Sequence, residues 1–292
     1  MDIVLMQGGL GNQMFQYALY KKLKKLKRQA YIEFGYMNAH YGYELHRAFG
    51  IEQKQQASWA VRKFLFSEKS MMRVIRQWAQ KTGLYHKPES YFGAYQPQIL
   101  EKRAGFSFLT GYWQSEKYFQ DISAQLRREF AFVPFTEKEN LSLMQDTREK
   151  NRVSLHIRRA DYVKTQVNMK DSALISYCQN AIEYMCKHVK NIVFLVFSDD
   201  IPWCRKHISP PPPPHQFIFV DWNTGQSSFR DMQLMSLCHH NIIANSTFSW
   251  WGAWLNAHED KIVIAPETWF TTMPKHEWRD IIPQNWIKLK NT

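Results

Sequence analysis

The stretch with the most evident chemistry is a short apolar run that ends in charged side chains, residues 153–162. His156 lies near its end, followed by the adjacent arginines Arg158 and Arg159 and then by Asp161. Each guanidinium group is planar and can donate two parallel hydrogen bonds to phosphate oxygens, so the pair suits a multiply charged anion. Asp161 could hold one of the two groups in place. The alternative is an ion pair on the surface beside an edge strand.

Two further apolar segments also end in polar clusters. Residues 198–200 read Ser-Asp-Asp, and residues 245–247 read Asn-Ser-Thr before a tryptophan-rich helical pattern. Ser246 or Thr247 can cap that helix, whose N–H groups would then form a second cradle for phosphate. An ordinary helix cap before a core helix is the alternative.

A glycine-rich turn opens the N-terminal half of the chain. Residues 3–6 are apolar and lead through residues 8–13, Gly-Gly-Leu-Gly-Asn-Gln, into a helical pattern. Glycines permit positive φ and a close approach of ligand to backbone, while the helix start offers N–H groups to an anion or to sugar hydroxyls. The turn matches neither the dinucleotide fingerprint nor the P-loop, so a plain tight turn explains it equally well.

The elements that must position these groups follow from the spacing of apolar residues. In the C-terminal half, strands are predicted at 153–157, 192–197, 216–220, 241–245 and 261–265. Helices are predicted at 172–187, 229–238 and 248–256. This alternation predicts a parallel, doubly wound sheet, which binds ligands beyond the carboxyl ends of its strands.

The N-terminal half is less regular. Strand character at 106–114 precedes a helical pattern at 119–130, and residues 59–80 predict a basic amphipathic helix. Residues 134–150 are polar and interrupt the apolar rhythm, so we place the domain junction there.

Composition narrows the class of protein. The 292 residues carry 38 Lys and Arg against 26 Asp and Glu, a net charge of +12, which indicates an anionic partner. The four cysteines have no metal-binding or disulfide spacing, and the start of the chain lacks a signal-peptide pattern. We therefore expect a cytoplasmic protein. The lysines of residues 21–28, like the basic segment 59–80, suit either a solvated face or contact with an anionic membrane surface.

Taken together, the motifs resemble those of the inverting alpha-1,2-fucosyltransferases of glycosyltransferase family 11. The resemblance rests on residues 8–18, 156–162, 197–200 and 231–255, which spread over nearly the whole chain. Members of the family usually have Gly where this chain has Ala160, so we expect a slightly different local turn at this position.

The resemblance implies an α/β fold of the GT-B type, with two Rossmann-like domains facing a cleft. Residues 1–145 would bind the acceptor and residues 146–292 would bind GDP-fucose. The reaction would move L-fucose from GDP-β-L-fucose to the 2-hydroxyl of a terminal galactose with inversion, using no cofactor and no metal. The acceptor would be a galactose-terminated oligosaccharide or a lipid-linked glycan. Separately from the resemblance, the two basic segments favour peripheral contact with the inner face of the membrane, and we expect no nucleic-acid partner.

The resemblance also distributes roles among residues. Arg158 would stabilise the charge of the departing diphosphate, and Asp161 is one option for a catalytic base. The expected donor-binding residues are His156, Arg159, Asp199, Asp231, Asn245, Ser246, Thr247, Phe248 and Ser249. The residues expected to bind acceptor or fucose are Gly9, Asn12, Gln13, Tyr112 and Trp113. A basic nucleic-acid-binding protein and a sugar-binding module without turnover are the alternatives from other functional classes.

Overall fold

The computed structural model describes residues 1–34, 42–53, 58–90, 93–102, 104–159 and 171–291. The chain divides into two compact units. The N-terminal unit comprises Met1–Ala131 and His276–Ile281, and the C-terminal unit comprises Phe132–Lys275 and Ile282–Thr292.

The N-terminal unit is a parallel α/β sheet with helices. Its strands are β1 (Asp2–Leu5), β2 (Ala30–Glu33), β3 (Tyr85–His86), β4 (Glu89–Ser90) and β5 (Phe106–Gly111). Its helices are α1 (Leu10–Lys25), α2 (Leu45–Phe49), α3 (Trp59–Phe66), α4 (Ser70–Lys81) and α5 (Ser123–Glu129). The order is β2-β1-β5-β3, with β4 also paired to β5, and every pairing is parallel.

Apolar side chains of β1 and β5 anchor the helices of this unit. Ile3, Leu5 and Phe108 form one core cluster with Leu65 of α3 and Ala79 of α4. The sheet therefore carries α3 and α4 on the face to which these strand residues point. β1 is buried along its whole length, as expected for a central strand of a parallel sheet.

The C-terminal unit is a larger sheet of the same kind. Its strands are β6 (Asn151–Ile157), β7 (Ile192–Ser198), β8 (Gln216–Val220), β9 (His240–Ile242), β10 (Val263–Pro266) and β11 (Ile287–Leu289). Its helices are α6 (Lys138–Asp146), α7 (Asp171–His188), α8 (Ile201–His207), α9 (Phe229–Ser236) and α10 (Thr247–Leu255). The order β11-β10-β9-β6-β7-β8 is parallel throughout.

Two parallel sheets confirm the predicted α/β fold class with two Rossmann-like halves. The five strands predicted in the C-terminal half all form, and the sheet gains β11 at one edge. The two-residue strands β3 and β4 and the short helix α8 have too few residues to show a period in sequence.

Two predicted helices differ from the structure in their extent. The amphipathic segment 59–80 forms two helices, α3 and α4, separated by residues 67–69. The helix predicted at 119–130 is regular only over Ser123–Glu129, after two short 3₁₀ turns.

The polar segment 134–150 contains α6, which is amphipathic and mostly exposed, rather than a linker. The division between units falls after Ala131, whereas the boundary predicted at 145 and 146 lies inside this helix. The amino-acid composition of His276–Ile281 does not indicate that this segment belongs to the N-terminal unit. Over the described ranges, no helix is long and apolar enough to cross a lipid bilayer.

Candidate functional site

The carboxyl edge of the C-terminal sheet brings three predicted polar clusters together. β6 lies between β7 and β9, and the chain continues from β6 to β7 on one side and reaches β9 later on the other. Such a reversal of strand order opens a crevice beyond the strand ends, where ligands of doubly wound sheets bind. Arg158 and Arg159 follow β6, Asp199 and Asp200 follow β7, and Ser246 follows β9.

Arg159 is fixed by carboxylates from two other segments. Its Nη1 donates to Asp200 Oδ2 at 2.7 Å, and its Nη2 donates to Asp171 Oδ2 at 3.1 Å. The guanidinium group also lies 4.7 Å above the ring of Trp203, in cation–π geometry. The sequence suggested Asp161 as its partner, but Asp161 lies outside the described residues. Arg159 is therefore held in one orientation by Asp171 and Asp200.

Arg158 is the more exposed of the two arginines. Its side chain is 32% exposed against 21% for Arg159, and its Nε lies 3.2 Å from Asp199 Oδ2. The other oxygen of Asp199 accepts a 2.9 Å hydrogen bond from the backbone N–H of Arg159. One carboxylate thus orients both arginines, while Asp200 caps α8 by accepting from the N–H of Trp203. The sequence left Asp199 as a possible helix cap, and the structure gives that role to Asp200.

His156 is a neutral imidazole at the end of β6. It is 6% exposed, and burial, followed by the charge of Arg158, lowers its pKa from 6.5 to about 3. Its ring centroid lies 5.9 Å from that of Phe248, and its Nδ1 has no hydrogen-bond partner among the described residues. A neutral imidazole has one donor and one acceptor nitrogen, so His156 retains hydrogen-bonding capacity for a polar ligand.

The start of α10 supplies backbone N–H groups beside the arginines. Ser246 is the N-cap, and its Oγ accepts from the N–H of Phe248 at 3.3 Å. Asn245 is buried and donates from Nδ2 to the carbonyl of Trp269, while the buried Ser249 donates from Oγ to the carbonyl of Ser246. Asn245 and Ser249 thus shape the turn. The partly exposed first-turn backbone is the surface available to an anion.

Asp231 on α9 belongs to a polar network in the same unit. Its Oδ1 accepts from Asn223 Nδ2 at 2.9 Å, and Asn223 exchanges two 3.0 Å hydrogen bonds with the side chain of Asn140. Trp222 Nε1 donates to the same Asn140 oxygen. Burial raises the pKa of Asp231 to about 8, against the opposing effect of the Asn223 hydrogen bond. A carboxyl group in this state can donate or accept a hydrogen bond near neutral pH.

The glycine-rich turn of the N-terminal unit requires glycine at its first position. Gly8 has φ of +76°, and a Cβ there would lie 2.7 Å from Asn12 Nδ2. Asn12 accepts from Gln114 Nε2 through its Oδ1 at 2.9 Å. Gly9 precedes α1 as its N-cap, and a Cβ at Gly9 would stand 3.7 Å from Glu44 Oε2. Asn12 is partly exposed, and its Nδ2 has no hydrogen bond to any described residue.

Gln13 is fully buried and holds this turn against the loop before α2. Its Nε2 donates to the carbonyls of Gly8 and Gly42, and its Oε1 accepts from the N–H of Glu44. Gln16, one helical turn further, accepts from the N–H of Gln7 and donates to the carbonyl of Gly111. Gln13 therefore holds the glycine-rich turn in position through hydrogen bonds made inside the core of the unit.

Tyr112 and Trp113 have different surroundings. Tyr112 is partly exposed, whereas Trp113 is fully buried with its ring edge-on to Tyr118 at 5.8 Å. The backbone at Trp113 has φ of +56°, an uncommon value for a bulky residue, and its Nε1 has no hydrogen-bond partner among the residues that the structure describes. Of the two residues, Tyr112 is the one with solvent-exposed surface.

The sequence did not identify several supporting residues: Gln16, Gln114, Asn140, Asp171 and Asn223. Each acts through a partner distant in sequence, so no local spacing marks it. The recurrence of glutamine at positions 13 and 16, on one face of a helix, was the one available signal. Within the part of the chain that the structure describes, no group of three or more His, Cys, Asp or Glu side chains could hold a metal ion.

An arginine pair at the switch point of a parallel sheet, beside a helix N-terminus, is an arrangement whose chemistry suits an anion. The family model for Glycosyl transferase family 11 matches residues 98–290. The chain belongs to glycosyltransferase family 11.

Individual relatives and solved structures agree with this assignment. The chain is 33% identical to an Alpha-1,2-colitosyltransferase of Escherichia coli, over 99% of this chain and 100% of the relative. It is 28% identical to the Galactoside 2-alpha-L-fucosyltransferase SEC1 of Bos taurus, over 50% of this chain and 41% of that protein. A FUT1 mutant of Arabidopsis thaliana in complex with GDP matches 95% of this chain and 72% of its own, with a TM-score of 0.53 and 13% identity. The last comparison supports the GT-B-like fold alone.

Proposed function

We propose that the chain transfers L-fucose from GDP-β-L-fucose to the 2-hydroxyl of a terminal galactose, with inversion and without a metal ion. The observation that carries this proposal is the arginine pair at the switch point of the C-terminal sheet, oriented by Asp171, Asp199 and Asp200. Two of the relatives described above are named for attachment of a sugar at position 2. One is a colitosyltransferase and the other is a fucosyltransferase. That shared linkage supports a galactoside 2-hydroxyl as the acceptor.

In this proposal Arg158 binds the diphosphate. Its guanidinium group stabilises the negative charge that develops on GDP as the bond to the sugar breaks, and it thereby supplies cationic charge without a metal ion. Arg159 and Asp199 hold Arg158 in position. The first turn of α10, with Ser246, Thr247 and neighbouring residues, contributes N–H groups to the phosphates.

His156 and Asp231 are the proposed contacts to guanine. A neutral imidazole can accept or donate at the edge of the base, and an ionised carboxylate can accept from two adjacent N–H groups. Asn140 and Asn223 hold Asp231 through the network described above, so its carboxyl group is oriented before the donor binds.

The N-terminal unit is proposed to bind the acceptor. Asn12 has an amide nitrogen without a partner among the described residues, and Tyr112 presents an accessible ring on which a sugar can stack. Gly9 allows close approach to the start of α1, while Gln13 and Trp113 support the turn and the strand end from the core. Asp161 stays the candidate base from the sequence.

Colitose is a second candidate for the transferred sugar. The Escherichia coli relative that aligns over the whole chain is named for this sugar, which is the 3-deoxy form of L-fucose. An active site that hydrogen-bonds the 3-hydroxyl of fucose would discriminate strongly against its absence, because its polar groups would be left unpaired. Transfer rates measured side by side with GDP-fucose and with GDP-colitose therefore decide between the two donors.

The test is incubation with GDP-fucose and a panel of galactosides, with and without chelator. We expect a fucosylated product and unchanged turnover in chelator. Thermal stabilisation by GDP alone, about 2.7 kcal/mol at one hundred times the dissociation constant, separates donor binding from catalysis. Stabilisation by random DNA but not by GDP would instead support the nucleic-acid alternative, and galactoside binding without GDP binding would support the sugar-binding module.

A further inference from the structure

Helix α4 has an apolar stripe that faces solvent. Met71, Val74, Ile75 and Trp78 are 66%, 62%, 39% and 59% exposed. Their spacing of three, four and seven residues places them on one side of the helix. The helix is attached to the unit through a neighbouring side, since Ala79 is buried in the core cluster shared with β1, β3 and β5. The four residues of the stripe thus lie on a side of the helix that faces solvent.

This stripe is unlike the other exposed apolar residues of the chain. Eight large hydrophobic side chains are exposed over the described ranges, and five of them lie between positions 71 and 84. The fifth is Leu84, which is 48% exposed just after the helix. The others, Leu26, Leu141 and Leu237, are isolated, as is common on protein surfaces. A contiguous exposed patch instead marks a surface that something covers.

The charge around the stripe indicates what covers it. Residues 58–90 contain seven Lys and Arg against two Glu, a net charge of +5. Lys69, Arg73 and Lys81 are exposed and form no ion pair with the described residues. Lys81 follows Val74 by seven positions and Trp78 by three, so it borders the stripe directly. An apolar stripe that Lys81 borders, on a segment of net charge +5, complements a surface with anionic head groups above acyl chains.

Helix α1, the other basic segment, has no such surface. Lys21 pairs with Glu129 at 2.7 Å, and Lys22 and Lys25 pair with Asp121 at 2.8 and 3.1 Å. Arg28 pairs with Asp2. These cations are largely neutralised within the N-terminal unit, and the apolar side of α1 is buried.

We propose that α4 binds in the plane of an anionic lipid bilayer, with Met71, Val74, Ile75 and Trp78 inserted at the boundary between head groups and acyl chains. Lys81 at the edge of the stripe then contacts the anionic head groups, and Lys69 and Arg73 near the start of the helix add to the electrostatic attraction. A second copy of the chain is a poorer occupant, since it would bring two segments of charge +5 together. Single-stranded nucleic acid is also poorer, because only one of the four stripe residues can stack on a base.

The experiment is sedimentation with vesicles of phosphatidylglycerol and phosphatidylethanolamine, and with phosphatidylcholine vesicles, in the absence of any nucleotide sugar. We expect binding to the anionic vesicles alone. The double variant Val74→Ser/Trp78→Ser should weaken it at least about tenfold, through the loss of inserted apolar area. The matched control is Leu141→Ser/Leu237→Ser, which removes two exposed apolar residues elsewhere and should bind like the wild type.

Charge is tested with a second matched pair. Arg73→Gln/Lys81→Gln should weaken binding about fivefold for each charge removed at low salt, and less at high salt. Lys24→Gln/Lys27→Gln removes two exposed charges from the α1 region and should have little effect. All four variants should keep the wild-type melting temperature and transfer to a soluble acceptor, because the substituted residues are exposed and outside the proposed active site.

Three outcomes would overturn the proposal. Equal vesicle binding by the stripe variant and the wild type would remove α4 from the interface. Absence of vesicle binding, together with a concentration-dependent dimer abolished by Val74→Ser/Trp78→Ser, would assign the stripe to a second copy. Salt-sensitive binding to single-stranded DNA without binding to vesicles would assign it to nucleic acid. None of these results depends on whether the chain transfers fucose.

Discussion

The buried His156 makes a quantitative prediction about acid stability. In the folded chain its pKa is about 3, because burial and the charge of Arg158 disfavour the imidazolium form. In the unfolded chain the pKa of a histidine is about 6.5. Between these two values the unfolded state binds a proton that the folded state excludes. The stability contributed by His156 is therefore fully present above pH 6.5 and is lost as pH falls toward 3.

The expected size follows from about 1.4 kcal/mol for each pH unit below 6.5. Lowering the pH from 7.5 to 5 should thus cost about 2 kcal/mol through His156 alone, rising to about 5 kcal/mol near pH 3. The assay is urea unfolding, followed by tryptophan fluorescence, of the wild type and of His156→Gln at pH 7.5 and 5. Glutamine is polar but does not titrate, so the variant should lose about 2 kcal/mol less than the wild type on acidification.

A matched control comes from His276, which is exposed. His276→Gln should retain the wild-type loss of stability between pH 7.5 and 5. If His156→Gln and the wild type lose equal stability over this range, the imidazole is not held neutral by burial, and its proposed contact to guanine loses its physical basis.

Three further changes test the donor site and its supporting helix. Arg158→Lys should lower kcat/KM at least about a hundredfold, because a point charge cannot replace a bidentate guanidinium group, whereas the exposed Arg205→Lys on α8 should retain wild-type turnover. The affinity for GDP, measured by calorimetry, should rise by up to about tenfold per pH unit between pH 6.5 and 8. With a pKa of about 8, Asp231 is protonated over most of this range and must lose its proton to accept hydrogen bonds from guanine. Asp231→Asn should remove this pH dependence. Gly252→Ala should lower the free energy of unfolding by about 1–3 kcal/mol, because the added Cβ would lie 2.8 Å from Met235 Cβ. An unchanged denaturation midpoint would contradict the tight packing of α9 on α10.

The C-terminal sheet was predictable because its central strands are largely buried: β7 appears in sequence as a continuous apolar run, and β6 has apolar residues at alternate positions from Val153 to Ile157. The three polar clusters follow those runs directly, so their meeting at one sheet edge was predictable as well. The hydrogen-bond partners of each side chain at this edge were not predictable. Arg159 pairs with Asp171 and Asp200, which lie 12 and 41 positions away in sequence, while Asp161, the partner that the sequence suggested, lies outside the described residues.

The N-terminal unit shows a different limit. Gln13 is a polar side chain beside a glycine-rich turn, and the sequence favoured it as a ligand contact. The structure engages it in three hydrogen bonds to the backbone of its own unit. The sequence shows which groups can form hydrogen bonds, but not whether those groups are already satisfied inside the fold.

Helix α4 shows that amphipathic spacing does not determine which side is buried. The sequence predicts a basic amphipathic segment, for which the usual expectation is an apolar side against the core. Only the structure shows that Met71, Val74 and Trp78 point to solvent while Ala79 packs inward.

Linkage analysis of the product tests the central claim most directly. The enzyme is incubated with GDP-fucose and a soluble galactoside, and the position of the new bond is determined by methylation analysis or by nuclear magnetic resonance. We predict a single product with α-L-fucose on the 2-hydroxyl of the terminal galactose. Fucose at another hydroxyl, or GDP release without a fucosylated product across the acceptor panel, would contradict the proposed function.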